Sequence, residues 1–367
     1  AGLQNKSNAN WQSNGPVGYN TAKACFKEMT VPEAVSITSA FQETMLAAKP
    51  AGEMESCSVL QTDDAFWKVF EFDFISGKPY DNADFDAGAA KAVISEDMAR
   101  RLFGTSEVVG KTFLLNHTAY LISGVVRPVS KLARYAYAQV WIPLSSTNAF
   151  TTTWGDENIM GLVAVLILAK STDDFPAIHN EADRLRAVFM AGHPNFDLLY
   201  RGQPDTYFVA AQRHSANNPP AVKEAIRQYI LTLLVLLIVP AVNLSGLTLS
   251  RMRKRLSEIG VRKAFGAPRR ELMMQVLSEN MLYSLLGGIL GLVLSYIAAF
   301  LLGGMLFSVD FVSDGVNDLR TMCIDLLFDP AVFLLAFLAC FLLNLLSAAI
   351  PAWRITHTNI VDAINER

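Results

Sequence analysis

Three long stretches without a single Asp, Glu, Lys or Arg fill the second part of this chain, at residues 228–250, 280–309 and 330–353. Each exceeds the roughly 20 residues that carry a helix across a hydrocarbon core of about 30 Å. A buried helix of a large soluble protein can look similar once; three such stretches, each bounded by charges, read as transmembrane helices. Pro240 falls inside the first, where a neighbouring helix can cover the carbonyl it frees. Gly287, Gly288 and Gly291 place small residues in the second, which favours close helix–helix approach. The whole chain of 367 residues is only 18% charged, against about 25% in ordinary soluble domains. That composition excludes intrinsic disorder, and a net charge of −3 argues against a nucleic-acid binder.

Charge sets the sidedness. Residues 251–270, RMRKRLSEIGVRKAFGAPRR, carry Arg251, Arg253, Lys254, Arg255, Arg262, Lys263, Arg269 and Arg270 against Glu258 alone. The connection between the second and third spans carries Asp310, Asp314, Asp318, Asp325 and Asp329 against Arg320. Lys/Arg-rich loops stay in the cytoplasm, so the loop 251–279 and the tail after Trp353 are expected inside and residues 1–227 outside. An outer domain needs a device that exports it, and no signal peptide or apolar N-terminal span is present in residues 1–227. The expectation is therefore a fourth, N-terminal anchor helix ahead of Ala1, with both ends of the protein inside. The chain divides into an α+β extracytoplasmic domain, residues 1–222, and an all-α membrane domain, residues 223–367.

In the outer domain the clearest segment is residues 91–126. Lys91–Ile94 predicts a strand and Ser95 an N-cap, with Glu96 and Asp97 in the first helical turn. Met98, Leu102 and Phe103 form the apolar face, and Gly104 is the stop. Thr112–Leu115 and Ala119–Val126 read as a hairpin around Asn116-His117-Thr118, a turn that is also a glycosylation sequon. Gly161–Ala169 predicts a strand, Asp174–Ala191 a helix with Phe175, Ile178, Ala182, Leu185 and Phe189 along one stripe, and Phe196–Tyr200 another strand. These predict a β-α-β unit on one sheet, with a matching half in a helix near Thr21–Met29 and a strand near Ala34–Phe41, as in ferredoxin-like folds. Gln203–Pro220, polar and proline-containing, reads as a link to the membrane.

No motif for catalysis is present. The five histidines, His117, His179, His193, His214 and His357, are scattered, with no HExxH or paired-Cys spacing. GxSxG and GxxxxGK[ST] are absent, so the chain itself is not expected to hold nucleotide or metal. Glu43, Glu53 and Glu55 read as solvated carboxylates. Uncharged spans argue against a proton or ion path through them. Cys25 and Cys57 share the outer domain, where a disulfide between them is permitted; Cys323 and Cys340 are expected to stand apart.

The remaining unusual element is Ser257–Ala267, SEIGVRKAFGA. Ser257 suits a cap, Glu258 the helix start and Gly266 the stop. Ile259, Val261, Ala264 and Phe265 are apolar, whereas Arg262 and Lys263 are basic, and Leu272–Leu277 continues as an amphipathic lead into the next span. Such a segment suits either anionic lipid headgroups or a cytoplasmic partner.

Residues 253–296, RKRLSEIGVRKAFGAPRRELMMQVLSENMLYSLLGGILGLVLSY, resemble the FtsX-like permease domain of ABC transporters. Glu258, Ile259, Gly260, Arg262, Lys263, Ala264, Gly266 and Ala267 match its E-I-G-hydrophobic-R-K-A-hydrophobic-G-A pattern. Ala348–Arg354 and Asp362-Ala363-Ile364 resemble its closing motif, from which Thr356 and Asn359 depart. AFWKVFEFDFISGKPY (65–80) and AVISEDMARRLFGTSEVVGKTF (92–113) resemble the MacB-like periplasmic core.

The resemblance implies a permease of the mechanotransmission type in the bacterial inner membrane. Two such chains, identical or not, would pair and bind a cytoplasmic ABC ATPase, which would hold the ATP and Mg. The contact would be the coupling segment Glu258, Ile259, Gly260, Val261, Arg262, Lys263, Ala264, Phe265, Gly266 and Ala267. MacB-like efflux through a periplasmic adaptor and an outer-membrane factor is the leading expectation. LolC/LolE-like lipoprotein release, FtsX-like signalling to a cell-wall hydrolase, and a sensor paired with a histidine kinase are the alternatives.

Overall fold

The computed structural model describes residues 1–8, 11–49, 52–130, 133–213, 215, 218–254, 258, 261–262, 264–306 and 330–357. They fall into a mixed α/β unit, Ala1–Ala221, and a helical unit that begins at Val222.

The first unit is built from strands β1 (Gly2–Asn5), β2 (Gln12–Asn14), β3 (Ala34–Ser39), β4 (Glu43–Ala48), β5 (Met54–Thr62), β6 (Phe74–Gly77), β7 (Lys91–Ser95), β8 (Thr112–Leu115), β9 (Thr118–Val126), β10 (Val140–Pro143), β11 (Thr153–Trp154), β12 (Met160–Gly161), β13 (Val163–Leu168) and β14 (Phe196–Leu199). Its helices are α1 (Tyr19–Ala22, running on as a π-helical turn Lys23–Lys27), α2 (Phe66–Val69), α3 (Asn82–Asp86), α4 (Glu96–Phe103), α5 (Phe175–Ala191) and α6 (Tyr207–Ala211).

The large sheet runs β10-β7-β9-β8-β4-β5-β3-β13, and β10 also pairs with β5. Six strands therefore close on themselves as a ring. Side chains alternate along a strand, and those aimed into the ring are the apolar ones: Ala47, Cys57, Val59, Ala92, Ile94, Phe113, Leu115, Ile122, Val140 and Ile142 are all at most 2% exposed. Closure removes the free edges that an open sheet would leave. Helix α4 adds Met98, Ala99 and Leu102 to this core. Its ends follow the expectation from the sequence: the Ser95 hydroxyl accepts from the Met98 N–H, and Gly104 stops the helix at φ 75°. The β8–β9 hairpin also forms as read, with Leu115 opposite Thr118. Asn116 (φ 45°) and His117 (φ 68°) lie in the left-handed region that a two-residue hairpin turn requires. The Asn116 side chain accepts from the Leu46 N–H at 2.9 Å, which gives this residue a structural task in the turn.

One expectation is corrected. The strands flanking α5 do not share a sheet: β13 pairs antiparallel with β3, whereas β14 pairs antiparallel with β1 in a separate three-stranded sheet, β14-β1-β2. Helix α5 thus bridges two sheets. Its stripe is otherwise the predicted one, with Ile178 and Ala182 buried and Phe175, Leu185 and Phe189 packed against the same core. The partner of β14 lies at the far end of the chain, and such a pairing leaves no mark in local periodicity. The expectation left open for Cys25 and Cys57 is also decided: the two are not bridged, and they sit in different core clusters.

The second unit holds α7 (Val222–Lys254), α8 (Arg269–Leu306) and α9 (Pro330–His357). Helix α7 runs through Pro240 without a break in its assignment. Two segments, Val222–Asn243 and Met273–Ala298, are long and apolar enough to cross a membrane; in α9 the apolar part of the described residues is Ala331–Leu343. Both longer segments begin nearer the N-terminus than the charge-free stretches do. Helix α9 packs against α7 and α8. Phe333, Phe337 and Phe341 stack at 6.3 and 6.1 Å along it. A Cβ at Gly288 would overlap the Phe337 ring, whereas Gly287 and Gly291 face open space. Of the three glycines, Gly288 is the one that close helix approach requires. The acidic connection, residues 307–329, and the tail, residues 358–367, lie outside the described residues.

Candidate functional site

The segment Ser257–Ala267, in which the ATPase contact is expected, lies between α7 and α8. Its residues Ser257, Ile259, Gly260 and Lys263 lie outside the described residues, while Glu258, Val261, Arg262, Ala264, Phe265, Gly266 and Ala267 are described. Those are helical through Ala264, and the Phe265 N–H donates to the Val261 carbonyl at 3.1 Å. The turn then ends on Gly266 at φ 90°, and the Ala267 N–H returns to the Arg262 carbonyl at 3.0 Å. A bond of that span with a left-handed glycine is the Schellman stop, and only glycine adopts that φ without strain.

This stop leaves Phe265 at the tip. It is 88% exposed, more than any other large apolar side chain among the described residues outside or inside the membrane helices. Val261, one turn before it, is 48% exposed. Arg262 does not point away as an unattached cation. Its guanidinium donates to Glu258 Oε1 at 2.6 Å and to Gln275 Oε1 at 2.8 Å. Gln275 belongs to α8, so Arg262 fastens the turn to the helix that follows. Both charges of the Glu258–Arg262 pair are about half exposed, and such a pair contributes at most about 1 kcal/mol. Its value lies in fixing direction: it links the residue three before Phe265 to α8 through Gln275.

Three further polar clusters, none of them visible as motifs, shape the first unit. Asp63, 2% exposed, accepts from Lys27 Nζ at 2.5 Å, Ser36 Oγ at 2.7 Å, Ile37 N–H at 3.0 Å and Phe66 N–H at 3.2 Å. Glu181 on α5 accepts from the Thr30 N–H and hydroxyl and from the Val31 N–H at 3.0 to 3.1 Å. Burial alone would raise the Glu181 carboxyl, but these donors outweigh it and hold it below the ordinary glutamate value. Arg213 forms a two-pronged pair with Asp205 in which both side chains are at most 7% exposed, and it also donates to the carbonyls of Arg201 and Asn218. In the stretch read as a plain link, one buried cation thus ties Asp205 and the Asn218 carbonyl to the Arg201 carbonyl just before it. Among the described residues no three His, Cys, Asp or Glu side chains converge to hold a metal ion.

Comparison with known proteins decides the family. Residues 3–185 match the family model of the MacB-like periplasmic core domain, and residues 230–360 match that of the FtsX-like permease C-terminal region. The chain belongs to the MacB/FtsX-like family of ABC transporter permeases. Among its relatives, the ABC transporter permease YknZ of Bacillus subtilis is 25% identical over 253 residues, 69% of this chain and 59% of that protein. The macrolide export ATP-binding/permease protein MacB of Pasteurella multocida is 25% identical over 236 residues, 64% of this chain and 33% of that protein. The chain therefore spans about three-fifths of the first relative and one-third of the second. The extracellular domain of YknZ has a solved structure that covers 54% of this chain at 16% identity, with a TM-score of 0.39. In this MacB/FtsX-like permease the periplasmic-core match falls wholly within the ring-bearing unit, and the permease match takes in the exposed Phe265 turn.

Proposed function

We propose that the chain is the membrane permease component of a MacB-type ABC exporter, with residues 1–227 on the periplasmic side of a bacterial inner membrane. The segment Glu258–Ala267 seats on a cytoplasmic ABC ATPase that binds ATP and Mg. Two permease chains pair, and the three helices carry the ATPase's movement to the periplasmic unit. That unit then drives a periplasmic or membrane substrate toward an adaptor and outer-membrane factor. The eight-to-one Lys/Arg excess of residues 251–270 over the acidic connection supports this sidedness.

The observation that carries the reading is Phe265: an aromatic side chain 88% exposed, outside both apolar segments, on a turn whose backbone and Arg262 clip hold it in place. An aromatic side chain so presented is free to enter a pocket on a partner. Aromatic anchors of this kind contribute about 2–4 kcal/mol to a protein interface, or roughly 30- to 1,000-fold in affinity. The test is co-purification of the chain with a co-expressed candidate ABC ATPase. Phe265→Ala should lose the ATPase while leaving thermal stability of the permease unchanged. Undiminished recovery of the ATPase with Phe265→Ala would refute the docking role. Arg262→Ala should weaken recovery less, because the knob remains and only its clip is lost.

A further inference from the structure

Closure of the six-strand ring leaves β13 as the outer strand of the large sheet, paired with β3 on one side. Its hydrogen-bonding phase is fixed at both ends. The N–H groups of Ala40 and Glu33 donate to the carbonyls of Leu162 and Leu168, so the even-numbered residues turn their backbone groups toward β3. The Val163 N–H turns the other way and donates to the Val17 carbonyl at 3.1 Å. These directions alternate along an antiparallel strand, so Val165 and Ile167 aim N–H and C=O along the outer edge. Beyond Val163 the described residues supply this edge with no backbone partner. Residues 164–168 are each partly exposed.

Edge strands are ordinarily guarded by a charge, a proline, a bulge or short length, because an open apolar edge is a template for another strand. The other outer strands carry such guards. Strand β14 contains Asp197, β2 is three polar residues, and β6 is broken by a bulge between Phe74 and Ser76. Strand β13 reads VAVLIL within the uncharged run 161–169, which ends at Lys170. Its side chains serve a core on each face: Val165 and Ile167 pack with the α5 core, and Leu166 with the cluster around Phe66 and Trp141. A strand with apolar layers on both faces and an unguarded edge suits continuation by another strand, with main-chain bonds supplying affinity.

We propose that the occupant is β13 of a second copy of this chain, paired antiparallel about a two-fold axis at Leu166; this rests on the reading that two permease chains pair. In that register Val165 exchanges N–H···O bonds with the partner's Ile167, Ile167 does so with the partner's Val165, and the two Leu166 side chains meet at the axis. Charge selects the direction. A parallel self-pairing sets Lys170 beside Lys170, a destabilising contact, whereas the antiparallel one sets it opposite the partner's Leu162. The test uses two differently tagged copies of the full chain, each with Cys323→Ser and Cys340→Ser and with buried Cys25 and Cys57 kept. They are co-expressed, and their membranes are oxidised with copper–phenanthroline. Non-reducing electrophoresis reads the disulfide. Capture of one tag without oxidation, with blotting for the other, reads pairing. Opposed Cα atoms in a non-hydrogen-bonded pair lie about 4.5 Å apart, within disulfide range.

The expected result is co-capture of the two tags and a cross-linked dimer with Leu166→Cys on both copies. Ala164→Cys alone or Leu168→Cys alone should give none, and Ala164→Cys on one copy with Leu168→Cys on the other should restore it, because those positions face each other across the axis. Co-capture with no disulfide at Leu166→Cys overturns the edge contact and leaves the pairing of chains standing. Failure of co-capture overturns both. A disulfide at Ala164→Cys alone as abundant as at Leu166→Cys overturns the two-fold contact in favour of random collision.

Discussion

Asp63→Ala should be the most damaging single substitution in the α/β unit, and the reason is the donors it abandons. The carboxylate is 2% exposed and receives four donors from three separate elements: Lys27 of the π-helical turn, Ser36 and Ile37 of β3, and Phe66 at the head of α2. Lys27 is the least affected, because its ammonium also donates to the Val35 carbonyl at 2.9 Å and its side chain is 30% exposed, so it can rehydrate. Ser36 and Ile37 are both fully buried. Each orphaned buried donor costs about 1–3 kcal/mol. A loss of about 4 kcal/mol follows, or a fall of roughly 8–16 °C in Tm at 2–4 °C per kcal/mol for a domain of this size. Scanning fluorimetry of the full chain on the intrinsic tryptophans, which include the fully buried Trp141, reads the transition. Asp63→Asn should be no better, since its amide would face Lys27 and the Ile37 N–H donor to donor. Lys27→Met should cost far less, because Asp63 keeps three other donors. If Lys27→Met lowers Tm as much as Asp63→Ala, the charge pair rather than the orphaned donors governs the site. If Asp63→Ala lowers Tm by less than about 3 °C, corresponding to about 1 kcal/mol, the argument fails outright.

Glu181 gives a pH signature. Its folded carboxyl is held below the ordinary value of 4.5, so its stabilisation is whole above that value and is lost as pH falls through the folded value. The Tm difference between the wild-type chain and Glu181→Gln should therefore be largest near pH 6 and should shrink in acid; a constant or growing difference contradicts this. In the helical unit, Gly288→Ala should weaken packing of α8 on α9 by about 1–3 kcal/mol through overlap with Phe337. Gly287→Ala and Gly291→Ala should be near neutral, as read by thermal stability in nanodiscs. Burial raises the Cys25 thiol above its ordinary value, and Cys57 is 1% exposed. Both should resist maleimide in the folded chain and react on denaturation without reductant; a failure to react after denaturation would mean they are bridged.

Local elements were legible where a short sequence carries its own instructions. Ser95 and Gly104 bound α4 because capping depends on residues within one turn. The hairpin at Asn116-His117 formed because its turn needs left-handed residues at those two places. The turn after Val261 ends at Gly266 for the same kind of reason. The polar clusters were not legible. Asp63, Glu181 and Arg213 look like ordinary surface charges in sequence, and only their partners, up to 151 residues away in the case of Glu181, make them structural. Arg262 is a milder case: the sequence marks it as basic and available, while the structure occupies it with Glu258 and Gln275.

The amino-acid order alone shows three charge-free stretches after a charged first part, the charge asymmetry between the stretches that join them, and the absence of a nucleotide-phosphate motif, because each depends on residues within a window of about 20. Tertiary structure decides the closure of six strands into a ring, the assignment of β13 and β14 to different sheets, the separation of Cys25 from Cys57, and the choice of Gly288 among three glycines. Each of these is a pairing between distant segments, and its free energy depends on which surfaces meet. A chain read residue by residue records the surfaces but not the meeting.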